Sequence, residues 1–215
     1  MSTLTQAPLS TLIPRLFRDA DATQAQLLRK LEQLSPQQRE AFRSHTDYRS
    51  FYADAKDFHL AVSPETATLL YLLARSSRAR HIVEFGTSFG ISTLHLAAAL
   101  RDNGGGRLIS SEFESSKVTA ARANMEAGGV ADLVEIREGD ALETLAQGLP
   151  DTVDLVLLDG AKPLYPRILD LLEPRLRAGA LIVADNADWC PAYLERVRRA
   201  GGGYLSVPFG PEVEV

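Results

Sequence analysis

The chain of 215 residues is poor in sulfur, with one cysteine, Cys190, and two methionines. A single cysteine excludes an internal disulfide and a thiolate metal cluster, and it suits a reducing compartment. Long apolar runs are also missing. No stretch reaches membrane-spanning length and the amino terminus carries no signal-peptide hydrophobic region, so a soluble, cytoplasmic chain with no membrane partner is expected. Nor is there a basic stripe. The net charge is -5, the pI is near 5.4, and the basic residues gather only in short helix-face pairs such as those from Arg196 to Arg199. That distribution argues against nucleic acid and for a small-molecule partner. Internal repeats and low-complexity segments are absent. What is present, 45% hydrophobic residues over this length, is enough to bury one large core.

The chain is organised around residues 82–93, Ile-Val-Glu-Phe-Gly-Thr-Ser-Phe-Gly-Ile-Ser-Thr. A β-branched apolar run stops at Glu84 and Gly86 and gives way to an apolar helix pattern through Leu94, Leu96 and Leu100. This predicts a buried strand, a tight turn and a helix, the first half of a βαβ unit. Open α/β sheets bind nucleotides at such a turn. A pyrophosphate turn needs G-x-G-x-x-G, and Ser88 stands where its middle glycine belongs. The pattern is instead E-x-G-x-x-x-G, and a carboxylate before the turn suits a cationic or hydroxyl-bearing ligand. Glu84 capping its own turn is the plainer alternative. A nicotinamide dehydrogenase is disfavoured by the same missing glycine.

Before this unit, Pro8 and Pro14 read as breakers of a loose arm or short helix, Arg15 to Leu34 as a helix, and Pro36 to His45 as a polar surface or oligomer-facing helix. Tyr48, Phe51, Tyr52 and Phe58 read as core or as a lid. Residues 1–57 are thus expected to form a helical extension serving as lid or oligomer contact, and 58–215 the ligand-binding core. Ser63-Pro64-Glu65 starts a helix through Arg75. Beyond the central unit, strands are expected at Arg107–Ser111, Leu133–Arg137, Val153–Leu158, Ala180–Ala184 and Tyr204–Val207, with a partner strand at Glu212–Val215. Helices are expected at Ser115–Gly128, Leu142–Leu149, Pro163–Arg177 with Gly179 as its cap, and Pro191–Arg199. The fold class predicted is α/β: a Rossmann-like, doubly wound, mostly parallel sheet with helices on both faces and an N-terminal helical extension.

Four predicted strands end in acids: Glu84, Glu112, Asp159 and Asp185. A parallel sheet brings these ends to one edge, and carboxylates gathered there call for cations. Glu112 lies where a Rossmann-type crossover places an acid on ribose hydroxyls. Asp159, Asp185 and Asn186 offer three hard oxygens, half the shell of a six-coordinate cation such as Mg²⁺. Asp159 as a helix cap and Asp185-Asn186 as an Asx turn are the structural alternatives. Lys162, three residues past Asp159, is either an ordinary surface lysine or, beside a dication, an amine able to take a proton.

Residues 159–165, Asp-Gly-Ala-Lys-Pro-Leu-Tyr, resemble the D-x-x-K-x-x-Y stretch of the cation-dependent O-methyltransferases, the catechol and caffeoyl-CoA group within the class I S-adenosylmethionine-dependent methyltransferases. Residues 181–186 are similar to that group's second metal segment, and residues 82–93 to the first motif of the wider class. The resemblance implies that Asp159, Asp185 and Asn186 hold the cation and that Lys162, with Asp159, carries catalysis. Val62, Glu84, Gly86, Thr87 and Ser88 would line the cofactor, joined by Ser92, Glu112, Asp140, Ala141 and Asp159. It implies a methyl transfer to a hydroxyl of a small catechol-like or phenolic substrate, and a homodimer. Ala161 stands where catechol-type enzymes carry a tryptophan against the cofactor, so adenine packing must come from elsewhere. Phe58, Trp189 and Pro191 are candidate substrate walls. The rival readings are a metal-independent N- or O-methyltransferase and a non-catalytic cofactor-binding module.

Overall fold

Apolar runs flanked by turn residues become the interior strands of one seven-stranded sheet in the computed structural model, which describes residues 2–33, 35, 55–210 and 213–215. The strands are β1 (His81–Phe85), β2 (Arg107–Glu112), β3 (Val134–Glu138), β4 (Val153–Leu158), β5 (Leu176–Asp185), β6 (Pro208–Phe209) and β7 (Val213–Glu214). Their order is β3-β2-β1-β4-β5-β7-β6. β1 to β5 run parallel, and β7 is antiparallel to both β5 and β6. The order reverses between β1 and β4, where an open α/β sheet leaves a crevice at its carboxyl edge.

Seven helices among the described residues cover the two faces: α1 (Leu9–Glu32), α2 (Pro64–Ser76), α3 (Ile91–Asp102), α4 (Ser115–Ala127), α5 (Ala141–Thr144), α6 (Tyr165–Leu172) and α7 (Pro191–Arg198). Strand alternation divides the core. Ile82, Leu155 and Leu157 face α1 to α4, whereas Val83, Phe85, Val156 and Leu158 face α5 to α7. α3 is buried along Ile91–Leu100, as its apolar sequence requires. Ser63 caps α2, its side chain accepting from the Thr66 amide at 3.1 Å, with Pro64 at the first helical position.

Several local expectations are corrected. Pro14 breaks nothing: α1 begins at Leu9 and carries Pro14 inside it. The lost backbone hydrogen bond is outweighed by the buried stripe Leu9, Leu12, Ile13, Leu16 and Ala20, spaced for one helical face and packed in the same cluster as α2 and α3. The expected helix to Arg177 ends at Leu172 with a 3-10 turn at Glu173–Arg175, and β5 starts earlier, at Leu176. Gly179, at φ +72°, turns within a bulge of β5 opposite Val153–Leu155 rather than capping a helix. That bulge is held by Arg177 Nε donating to Asp154 Oδ1 at 2.6 Å. The helix expected at Leu142–Leu149 is only the single turn of α5. Residues 204–207 are not a strand; the hairpin of β6 and β7 completes the edge instead. The predicted segment Pro36–His45 and the aromatic residues Tyr48, Phe51 and Tyr52 lie outside the described residues. No helix among the described residues is long and apolar enough to cross a membrane.

The turn after β1 depends on glycine for a reason the ligand does not supply. Gly86 sits at φ +102°, and a Cβ there would stand 2.6 Å from the backbone oxygen of Asp159. The turn is therefore pressed against the end of β4, where the Asp159 amide donates to the Phe85 carbonyl at 2.8 Å. Gly105 has nearly the same φ, +103°, with nothing near its Cβ position. Gly105→Ala is expected to cost about 1 kcal/mol of folding stability from backbone strain alone. Gly86→Ala should cost ~3 kcal/mol or more, because it adds a backbone clash to the same strain. Urea denaturation of both variants checks this, and equal losses would remove the close crossing as the cause.

Candidate functional site

The acids of the parallel strands do not all reach one rim. Glu84 shares its strand face with Ile82, so it points toward α3 and not into the crevice. There it is fully buried and accepts hydrogen bonds from Ser92 Oγ (2.6 Å), Thr93 Oγ1 (2.6 Å) and Ser110 Oγ (2.5 Å). Burial raises its pKa to about 7 against the pull of those three hydroxyls. Glu84 thus ties the first turn of α3 to β1 and β2.

Glu112 does end at the rim. Its two oxygens accept from the amides of Ser88 (2.8 Å) and Glu114 (2.9 Å), which fixes the carboxylate in the lining of an open cleft. Gly86, Ser88, Glu112, Asp140, Ala141 and Asp159 all line this cleft. Asp140 is held there as the N-cap of α5, accepting from the Leu142 amide at 2.9 Å. Thr87 and Ser92 line a smaller adjoining cavity with His59, Leu60 and Ser88. Val62 is buried and, like Glu84, lines neither.

Three cleft residues escaped sequence reasoning. Ser111, at the end of β2, has a buried hydroxyl with no hydrogen-bond partner, as does Ser88. Orphaned hydroxyls beside two carboxylates are what a hydroxyl- and amine-rich ligand would satisfy. Phe113, about half exposed just after Glu112, supplies the flat apolar wall that Ala161 cannot. Lys117 is a buried lysine on a helix whose sequence is alanine-rich and unremarked. Only the position of Ser111 and Phe113 around a predicted strand-end acid was a signal in the sequence.

The second half of the site is built at the ends of β4 and β5. Lys162, in a 3-10 turn at Lys162–Leu164, is buried and donates to Asp159 Oδ1 at 3.0 Å. Burial pushes the Asp159 carboxyl above the usual carboxylate range, the Lys162 ammonium opposes this, and Asp185 stands within hydrogen-bonding reach. Tyr165 brings the two acids together. Its buried hydroxyl lies 2.7 Å from the Leu158 carbonyl and 2.8 Å from that of Asp185, joining the ends of both strands. Asn186 follows in the left-handed region (φ 48°) and opens the turn Ala187–Trp189. Asp159 caps no helix. Among the described residues no group of three or more His, Cys, Asp or Glu side chains is disposed to hold a metal; the expected trio has two acids and one amide. Trp189 is about half exposed beside it.

A methyltransferase-domain family model matches residues 83–187, from β1 to the turn after β5. A catechol O-methyltransferase of Niastella koreensis is 36% identical over 130 residues, which are 59% of this chain and 58% of that protein. The chain thus spans under two thirds of the curated relative it matches. Among solved structures, the O-methyltransferase TomG from Streptomyces achromogenes, in complex with SAM, is 30% identical with a TM-score of 0.60, covering 77% of this chain and 87% of that one. An O-methyltransferase from Bacillus cereus in complex with SAH is 28% identical with a TM-score of 0.62, covering 69% and 76%. Sheet order, glycine turn and acid-lined cleft define a Rossmann-like methyltransferase domain. Within that class, the chain is similar to O-methyltransferases, a catechol O-methyltransferase among them.

The buried Glu84 has a measurable consequence. Because its folded pKa is raised, the protonated form is the one folding favours, so its contribution is complete below pH 4.5 and is lost as pH rises to about 7. Relative to Glu84→Gln, the wild type should lose up to about 3 kcal/mol across that window and run parallel outside it. Denaturation midpoints from pH 4 to 9 measure the difference, and a constant offset would show that Glu84 is not titrating.

Proposed function

We propose that this protein is an S-adenosylmethionine-dependent O-methyltransferase acting on a hydroxyl of a small catechol-like or phenolic substrate, with a divalent cation held by Asp159, Asp185 and Asn186. The observation that carries the reading is Lys162 buried against Asp159, which itself lines the cleft, with the end of β5 at Asp185 tied alongside by Tyr165. The unsatisfied hydroxyls of Ser88 and Ser111 and the carboxylates of Glu112 and Asp140 suit the amino-acid and ribose groups of the cofactor. Phe113 gives the adenine its apolar wall. When bound, the cofactor supplies an electrophilic methyl on a sulfonium.

The oxygen donors of Asp159, Asp185 and Asn186 fit a hard cation, which soft ligands would not. Held there, such a cation would supply positive charge beside Asp159 and lower the pKa of a neighbouring hydroxyl. Lys162 would act as the base in its neutral form, having given up its ammonium proton to solvent, with Nζ taking the hydroxyl proton and Asp159 keeping that amine in place. A metal-independent version has one specific support: the Lys162 ammonium already neutralises Asp159 without any ion.

The test is a methyl-transfer screen over catechols, phenolic acids and flavonoids, with added Mg²⁺ and with EDTA. Activity is expected on vicinal diols and should fall with EDTA. Lys162→Ala should lower kcat at least about 100-fold with little change in cofactor affinity. Asp185→Ala should leave the rate insensitive to added cation. Full turnover in EDTA removes the metal from the reading, and unchanged turnover in Lys162→Ala removes the base.

A further inference from the structure

Lys117 is the one charged cleft residue to which neither cofactor recognition nor proton transfer assigns a task. It projects from α4 into the cleft and is only 3% exposed. Its ammonium lies 5.8 Å from the centroid of Phe89. Phe89 is itself fixed, stacked on His59 at 3.7 Å with the rings 5° apart, and the His59 amide donates to Thr23 on α1 at 3.2 Å. Burial lowers the Lys117 pKa, and the fields of Glu112, Glu114, Asp159 and Asp57 raise it back. Among the described residues no hydrogen bond or ion pair closes on this ammonium. Its charge is therefore directed at whatever fills the cleft.

We propose that Lys117 determines cofactor specificity: it is a built-in positive charge that weakens binding of the sulfonium donor relative to the neutral thioether product. The inference rests on the reading of this cleft as the S-adenosylmethionine site. Donor and product share adenine, ribose, ammonium and carboxylate, so Glu112, Asp140, Ser88, Ser111 and Phe113 serve both alike. They differ by one methyl and one positive charge at sulfur. Only groups acting on that charge separate them: the cleft carboxylates favour the donor, and Lys117, the cation lining the cleft, opposes it. For unit charges within about 10 Å at an effective dielectric constant near 20, the repulsion corresponds to on the order of tenfold in affinity. The carboxylates nearby act on the same charge in the opposite sense, but they are present in wild type and variant alike, so the change on removing the Lys117 charge is that residue's own contribution. The consequence is an enzyme that responds to the ratio of donor to product and not to donor alone.

The experiment is titration calorimetry of the wild type, Lys117→Met and Lys117→Arg with S-adenosylmethionine, S-adenosylhomocysteine and sinefungin, whose amine replaces the methylsulfonium. In Lys117→Met the donor-to-product ratio of Kd should fall about tenfold, mostly by tighter donor binding. Sinefungin should follow the donor, and Lys117→Arg should keep the wild-type ratio. Lys117→Gln gives a second neutral side chain if the methionine variant folds poorly. A ratio unchanged in both neutral variants, with both ligands still binding, overturns the assignment to Lys117 alone. A merely structural lysine would weaken donor and product equally. If the wild type binds none of the three ligands, the reading of the cleft itself falls.

Discussion

Negative charge buried at the carboxyl edge of a parallel sheet is the constraint the rest of this molecule accommodates. A carboxylate removed from water is costly unless something replaces its hydration. Each acid here has a different replacement: three hydroxyls around Glu84, two backbone amides on Glu112, a helix terminus for Asp140, and the Lys162 ammonium for Asp159. These solutions are not equivalent for function. Glu84 has its hydrogen bonds filled from within, so it holds the fold. Glu112 and Asp140 are held by rigid backbone donors at the cleft. Asp159 depends on another side chain, the Lys162 ammonium, and not on backbone.

The geometry of that last pair is set from a distance. Tyr165 touches two carbonyls on neighbouring strands, and its ring also lies 5.5 Å from the Lys162 ammonium. One buried side chain thus fixes the separation of β4 and β5 and the direction of the lysine. Gly160 adds to this by letting the Phe85 ring lie against the backbone, where a Cβ would stand 2.4 Å from it. Rotamers locked by packing of this kind are what hold a reactive group within the narrow tolerance catalysis requires.

The sheet was legible because its strands are continuous apolar runs bounded by glycine and acids, as in Val153–Leu158, and because their alternation with helical patterns permits few topologies. The strand-end acids Glu112, Asp159 and Asp185 were legible for the same reason: topology alone carries them to one edge. Failures arose where tertiary packing overrode local chemistry. Pro14 reads as a breaker, yet the buried stripe around it keeps α1 intact. Gly179 reads as a cap, yet it serves a bulge whose anchor, Asp154, lies 25 residues away on another strand. Glu84 reads as a strand-end acid, yet β1 runs on to Phe85, and a one-residue offset in a strand reverses the face. Lys117 was invisible because an α-helix in an alanine-rich sequence gives no sign of which lysine is turned inward.

The contact between Gly86 and the Asp159 carbonyl joins two sequence motifs that are 73 residues apart into one mechanical part. Whatever strains or relaxes the turn after β1 is transmitted directly to the end of β4, with no flexible linker between them.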